Sequence, residues 1–474
     1  MFSGTIPRFQ EKNIWFLLAI CLGQLCVIVV PFILGAWIPV VVVVALISMV
    51  ALFGSPTLAL LYLSWISIIL TTQFSDDYLR LPLHFTFYEG LFMMIATLVF
   101  LSWMQMGNLS WGRSTRLDRP VMVFLLAVGF SVVLGLFYGQ STSQMLRDVR
   151  FPLYYALFFV VTGFFDVRKS FTFLLLILGG AAVVGVEYLV ELVQTVNLSF
   201  EGAFYRVARI EGLMMPIGTL LIATIFIYDT SFFRQFLSGL ALAPVGVALM
   251  VTVGRGMWIA TLTGLLCLIG LVYIRRHQDP KPMKRVLILV LIPFFVLMMG
   301  YVFQRITGIG VGETATRRLV RAVDHYEQDH SISGRLQSYG AVLEKVIQRP
   351  LLGGGHGETV TYVANDEDGV LTVMTLGAVD STYLTILMRM GIVGLIAFLW
   401  MYVRSIRMAY GLLGRTNQSR VRLFCAAFVA VYSAMLVYGI ADATLIGNRL
   451  IFIHVTFMGI LARLDIEEAD GASA

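Results

Sequence analysis

Charge is scarce in this chain. Only 13% of its 474 residues are Asp, Glu, Lys or Arg, 58% are hydrophobic, and the mean hydropathy is +0.85. A soluble globular domain carries about twice that share of charge, so the soluble class is excluded. Cysteine is nearly absent too: Cys21, Cys26, Cys267 and Cys425 all lie in apolar runs, where they behave as small hydrophobes and leave no disulfide framework, redox pair or zinc cluster. The N-terminal stretch has Arg8 and Lys12 ahead of its first apolar run but no small-residue cleavage site, so a retained first span is expected rather than a trimmed signal. Gly353-Gly354-Gly355-His356-Gly357-Glu358 lacks the lysine and the serine or threonine of a phosphate loop and is no nucleotide signature. No metal, cofactor or nucleic-acid partner is expected.

Apolar runs fill the space that charge leaves. Hydropathy predicts about fourteen spans, at 14–34, 38–54, 56–72, 86–106, 120–138, 151–165, 171–191, 213–229, 236–252, 256–274, 286–303, 382–403, 423–443 and 449–463. The expected fold is all-α and polytopic. An even number of spans puts both termini on one side. The basic loops with Arg113, Arg116 and Arg119, with Arg168 and Lys169, with Arg275, Arg276, Lys281, Lys284 and Arg285, and with Arg404, Arg407, Arg415, Arg420 and Arg422 share that side. The positive-inside rule makes it cytoplasmic and leaves the long segment 304–381 extracytoplasmic. Residues 1–200 then form an N-terminal set of spans, 201–463 a core that includes this outer segment, and 464–474 a cytoplasmic tail.

The outer side carries Arg80, Arg147, Arg150, Arg206, Arg209, Arg255, Arg305, Arg317, Arg318, Arg321, Arg335, Arg349, Arg389 and Arg449, against a single lysine, Lys345. A guanidinium binds phosphate with a planar fork whereas an ammonium is a point charge, so this preference suggests a phosphate-bearing ligand. The plainer alternative is that single arginines pair with Asp148, Glu211, Glu313, Asp324, Glu327 or Asp329, or snorkel at helix ends. Arg255 is the most pointed case. In Val253-Gly254-Arg255-Gly256-Met257-Trp258 it sits between two spans with almost no loop, where a charge needs a partner or water. Arg209, just before Pro216 and the next span, is placed similarly, although Glu211 offers it a local partner.

Within the outer segment, Leu336, Tyr339, Val342, Leu343, Val346 and Ile347 recur at helical spacing, which predicts an amphipathic helix over 334–349 lying along the membrane surface. Pro350 and the following glycines end it, and the segment reads as helical on both sides of that hinge. The glycines allow either close backbone approach to a ligand or a sharp reversal. His356 and Glu358 are acid or base candidates, although a lone loop histidine is more often simply hydrogen-bonded.

These residues carry a resemblance. Gly254-Arg255-Gly256-Met257-Trp258 at a span start, Gly334-Arg335-Leu336 leading to Arg349-Pro350-Leu351-Leu352-Gly353-Gly354-Gly355, and Ser381-Thr382-Tyr383-Leu384 followed by Met390-Gly391-Ile392-Val393-Gly394-Leu395 resemble, in order and spacing, the bacterial O-antigen ligase and Wzy-type polymerase family. The resemblance covers roughly residues 200–400; the first half adds only a compatible span pattern and Leu146-Arg147-Asp148-Val149-Arg150.

The resemblance implies a GT-C-like, metal-independent, inverting glycosyltransferase of the bacterial inner membrane. Its donor would be a glycan on undecaprenyl diphosphate at the periplasmic face, and its partners a chain-length regulator and a flippase. By the same analogy Arg209 and Arg255 bind the donor diphosphate, Arg335 orients the outer helix or joins that pocket, and Arg206, Arg147 and Arg150 are further substrate contacts. Ligases of this family place a histidine before the Tyr-Leu pair, where this chain has Asp380 and Ser381. Asp380 is expected to act as a general base toward an acceptor hydroxyl, as the N-cap of the following span, or as both. The change favours polymerisation of repeat units over transfer to lipid A core, with a flippase or exporter of lipid-linked sugars as the alternative of another class.

Overall fold

The computed structural model describes residues 55–69, 90–96, 114–198, 210–252, 254–275, 285–286, 294, 298–299, 301–302, 305, 330–365 and 371–473. Spans expected at 14–34, 38–54, 86–106 and 286–303 lie wholly or mostly outside these residues. Elsewhere the apolar runs become helices: α1 Pro56–Ile69, α2 Asp118–Phe137, α3 Thr142–Leu153, α4 Leu157–Phe164, α5 Ser170–Leu198, α6 Met214–Tyr228, α7 Phe232–Val251, α8 Arg255–Ile274, α9 His330–Gln348, α10 Thr382–Arg415, α11 Ser419–Tyr438, α12 Thr444–Gly447 and α13 Ile451–Ser473. Six of the described helices are long and apolar enough to cross a membrane, and α1 and α6 are shorter apolar helices. The chain is a mostly helical, multi-pass membrane protein.

Local chemistry sets several ends. Ahead of α2 the Thr115 N–H donates to the Asp118 carboxylate at 2.8 Å and the Leu117 N–H to the Thr115 hydroxyl at 3.1 Å, which fixes the turn leading into the helix. The expected span at 151–165 is broken: α3 runs through Pro152 into a 3₁₀ turn, Tyr154–Ala156, before α4. Pro152 removes a backbone donor at that junction. The run expected at 423–443 stops at Tyr438, and α13 continues through the predicted tail as far as Ser473.

One correction concerns the outer segment. It is helical before the hinge, in α9, but beyond it Val360–Asn365 (β1) and Leu371–Leu376 (β2) pair antiparallel, Val360 opposite Leu376. The β-branched pairs Thr361 opposite Thr375 and Val363 opposite Val373, with Val360 and Thr372 besides, favour strand pairing there. The inner side of α9 rests on it through Val342, which is buried with Val360, Val379 and Met388.

The basic loops assigned to one side do meet at one end of the bundle. Arg116 and Arg415 converge on Asp465 of α13 at 3.7 and 2.6 Å, Arg275 donates to the Tyr410 carbonyl at 2.7 Å, and Arg463 reaches the Thr162 carbonyl at 3.3 Å. The middle of the bundle is aromatic, with Phe428 stacked on Tyr432 at 3.8 Å and Tyr155 sharing a 2.6 Å hydrogen bond with Tyr402. Arginines of the opposite, outer set also have structural roles. Arg449 is buried and donates to the Ser67 carbonyl at 2.8 Å, while Arg389 is buried against Asp148 at 2.9 Å and the Gly377 carbonyl at 2.5 Å. For these two the guanidinium joins segments of the protein itself, because a buried cation needs several fixed acceptors.

Away from these basic loops α10 is discontinuous. Gly391 has φ 62° and ψ −164°, which interrupts the helical ladder and strands backbone groups on both sides of it. The glycine-rich hinge satisfies them. Gly354 and Gly355 donate to the carbonyls of Met388 and Arg389 at 2.8 and 3.0 Å, and Ile392 and Val393 donate to those of Pro350 and Leu351 at 2.9 and 3.3 Å. Ser131 of α2 adds a hydroxyl to the Arg389 carbonyl at 2.9 Å. Arg349-Pro350-Leu351-Leu352-Gly353-Gly354-Gly355 and Met390-Gly391-Ile392-Val393-Gly394 are therefore two halves of one interlock, in which close approach is backbone to backbone. A broken helix at membrane depth survives only where other groups re-pair its backbone in this way.

Candidate functional site at the start of the broken helix

The interlock holds the first two turns of α10 and so fixes the position of their N-terminus. Thr382 is tied there by its N–H to the carbonyls of Gly439 and Asp442, at 2.8 and 3.0 Å, and by its hydroxyl to the latter at 2.9 Å. The cap of α10 is Ser381, whose Oγ accepts from the Leu384 N–H at 3.4 Å. Asp380 is thereby released from capping. Its side chain is 61% exposed, and its Oδ2 accepts from Arg335 Nε of α9 at 3.0 Å. One turn along α9, the Tyr339 hydroxyl donates to the carbonyls of Asp380 at 2.6 Å and Ile440 at 3.2 Å. Burial alone would lower the Arg335 guanidinium, but the hydrogen bond and charge of Asp380 outweigh it and hold the group above its ordinary value.

A second carboxylate adjoins this pair. Asp442, in the turn after α11, accepts from the Tyr438 hydroxyl at 3.2 Å and from the Thr444 hydroxyl. Burial first, and the nearby charge of Asp380, push its carboxyl above the ordinary value of 3.8, against the hydrogen bonds from Thr444 and Tyr438. The sequence reading missed Asp442 because it placed this residue inside a span at 423–443. An acid inside an apolar run was itself the available signal. Tyr339 was missed for a similar reason, having been read as part of the helix's apolar stripe.

Arg255 begins α8 on the same rim. Its neighbour Gly256 is so close to Tyr438 and Ala441 that a Cβ there would lie 3.3 and 3.7 Å from them. The start of α8 thus borders the turn carrying Asp442. The chain approaches α6 alongside: Gly212 lies against Tyr188 and Met257, although Arg206 and Arg209 themselves fall outside the described residues. The rim brings together Arg255, Arg335 and Asp380 with Tyr339, Tyr438 and Asp442.

The other predicted residues sit elsewhere. Arg147 is exposed on α3 and donates to Gln144, and Arg150 lies over the Phe151 ring at 4.7 Å. His356 is fully buried in the interlock, its N–H and its Nδ1 paired with the backbone oxygen and Oγ of Ser131 at 3.1 and 2.9 Å. Burial, then the charge of Arg389, lowers His356 from 6.5 to about 3, so the ring is neutral near pH 7. Glu358 is held by Lys345 at 2.8 Å and by Gln140. These groups bind the hinge to α2 and α9.

A depressed histidine leaves stability unchanged above about pH 6.5 and removes it as pH falls toward 3, because only the unfolded chain can take the proton. Thermal unfolding of the protein in detergent is expected to drop across that range, by at most ~1.4 kcal/mol per pH unit. His356→Gln should flatten the dependence; an unchanged profile would show that another group governs it.

Among the described residues no three His, Cys, Asp or Glu side chains converge on a point that could hold a metal ion. The groups gathered at the rim are carboxylates, guanidinium groups and tyrosine hydroxyls. Residues 240–399 match the model of the family described as O-Antigen ligase, a stretch that includes Arg255, Arg335, His356 and Asp380 but ends before Asp442. No curated protein matches the chain.

Proposed function

We propose, for a chain that carries an O-antigen ligase family domain at residues 240–399, that it polymerises glycan repeat units delivered on undecaprenyl diphosphate at the periplasmic face of the inner membrane. The observation behind this reading is the exposed Asp380 carboxylate, freed from capping by Ser381 and oriented by Arg335 at 3.0 Å, on the rim where α8 starts with Arg255. A carboxylate so held can take a proton from an acceptor hydroxyl. The acceptor oxygen attacks the anomeric carbon from the face opposite the diphosphate, the sugar–phosphate bond breaks, and the pair of electrons leaves with the diphosphate. Configuration inverts. Arg255, with Arg209, meets the charge that builds on the leaving group, a task fixed guanidinium groups perform without a metal ion. The GT-C-like architecture, fourteen spans and cytoplasmic termini belong to the same reading, as do a chain-length regulator and a flippase as partners.

The second reading is ligation of finished polymer to lipid A core or another acceptor, which the family's description favours. The deciding experiment supplies purified protein in proteoliposomes with lipid-linked repeat units, with and without lipid A core. Growth of a ladder from repeat units alone supports polymerisation, and transfer only when core is present supports ligation. Movement of the donor across the bilayer without a new glycosidic bond overturns both in favour of a transporter.

Within this reaction Asp380→Asn is expected to lower turnover by about 10²–10³-fold. Asp442→Asn should cost about tenfold and move the acid limb of the pH profile to lower pH, since a raised carboxyl beside Asp380 is lost. An acid limb identical to that of the unaltered protein would separate Asp442 from the site.

A further inference from the structure

The helix α9 has two apolar sides, and the protein covers one of them. Val342 is buried and Val346 packs against the hairpin, but Leu336, Leu343 and Ile347 are 58, 48 and 77% exposed, and Leu351 beyond the helix end is 65% exposed. Spacings of 7 and 4 residues put Leu336, Leu343 and Ile347 on one stripe of the helix, turned away from the hairpin. Large aliphatic side chains aligned in this way on an otherwise polar helix mark an interaction surface.

What surrounds the stripe indicates its occupant. At its end Pro350 and Leu351 accept hydrogen bonds from Ile392 and Val393, and those residues start the exposed row Ile392, Val393, Ile396, Trp400 and Val403 along the spanning part of α10. On the other flank, Arg349 lies 3.7 Å over the ring of Tyr138, next to Phe137 at the foot of the exposed row of α2. The end of the stripe is thus tied to the exposed apolar rows of two helices long and apolar enough to cross a membrane. We propose that this face of α9 rests on the lipid bilayer at its interface, and that this seating sets the depth of Arg335. An interfacial helix buries its apolar face between headgroups and acyl chains, so Arg335 is then carried at the level of lipid phosphates. The clause about Arg335 rests on the glycosyl-transfer reading above; the seating itself does not.

The first test is independent of activity. p-Benzoylphenylalanine is placed at Leu343, at Ile347 or, as a control on a polar side, at Gln337, and the protein is irradiated in nanodiscs of phosphatidylethanolamine and phosphatidylglycerol. Lipid adducts at least tenfold more abundant at Leu343 and Ile347 than at Gln337 support the proposal. Equal adducts at all three positions, or a cross-link to a second copy of the chain, overturn it. Leu343→Asp with Ile347→Asp is then compared with Ile347→Met for conversion of lipid-linked glycan at equal membrane abundance. A loss of at least tenfold confined to the aspartate pair supports the positioning of Arg335, and unchanged conversion overturns that clause. If lipid adducts form as expected and even the unaltered protein transfers no glycan, the seating stands and the functional reading fails.

Discussion

Replacing Arg255 by alanine should stop long glycan from forming while single repeat units accumulate on the lipid carrier at the outer face. Arg255 occupies the first position of α8, beside the turn that carries Asp442. A leaving diphosphate gains charge as its bond to the sugar breaks, and a guanidinium fixed at a helix start meets that charge without reorganisation. Losing one such donor costs about 10²–10³-fold in turnover, or ~3–4 kcal/mol. Arg255→Lys should recover only part of the rate, because an ammonium cannot offer two parallel N–H groups to phosphate. The check is analysis of lipid-linked and polymerised glycan in membranes of a deletion strain carrying each variant at normal abundance. Polymer of unaltered length from Arg255→Ala would sink the assignment. Donor trapped on the cytoplasmic face would point to transport.

Gly391→Val should leave no folded protein in the membrane. At φ 62° and ψ −164° the backbone lies in a region essentially restricted to glycine, and a Cβ there would fall on the Leu351 carbonyl. The displaced segment is the one whose carbonyls accept the Ile392 and Val393 N–H groups, so strain, overlap and orphaned hydrogen bonds add together. A loss above ~4 kcal/mol is expected from such a combination. Gly411→Ala is the control, since nothing lies within 4 Å of a Cβ at that position. It should be neutral or slightly stabilising in the same helix. Membrane abundance and protease resistance read both variants. A Gly391→Val protein as resistant as the parent would mean that the interlock is dispensable.

These expectations show how much could be read from the residues. The spans at 120–138, 171–191, 236–252 and 256–274 were legible because lipid demands unbroken apolar runs and every backbone group must pair within its own helix. The helix at 334–349 was legible from its 3.6-residue period. The hairpin at 360–376 was not, since its few β-branched residues give a short signal beside a strong helical one. The glycines of the hinge were visible as glycines, but not as partners of Gly391, which lies 36 residues beyond Gly355. His356 looked like a loop base until its neighbours, chiefly Ser131 on α2, came from more than 200 positions away. Asp380 was legible as a candidate, while the assignment of the cap to Ser381 was not.

By itself, then, the sequence determined membrane residence, helical class, the side shared by the basic loops, and a family resemblance borne by short motifs, all of which depend on composition and local order. Only the tertiary structure decided which polar residues serve the fold and which remain open to a ligand. Arg389, Arg449, His356 and Glu358 are themselves buried and held by partners within the protein, whereas Asp380 stays exposed beside Arg335. The reason is physical: a polar side chain is a candidate for function only when no distant segment has already satisfied it, and distant segments meet only on folding.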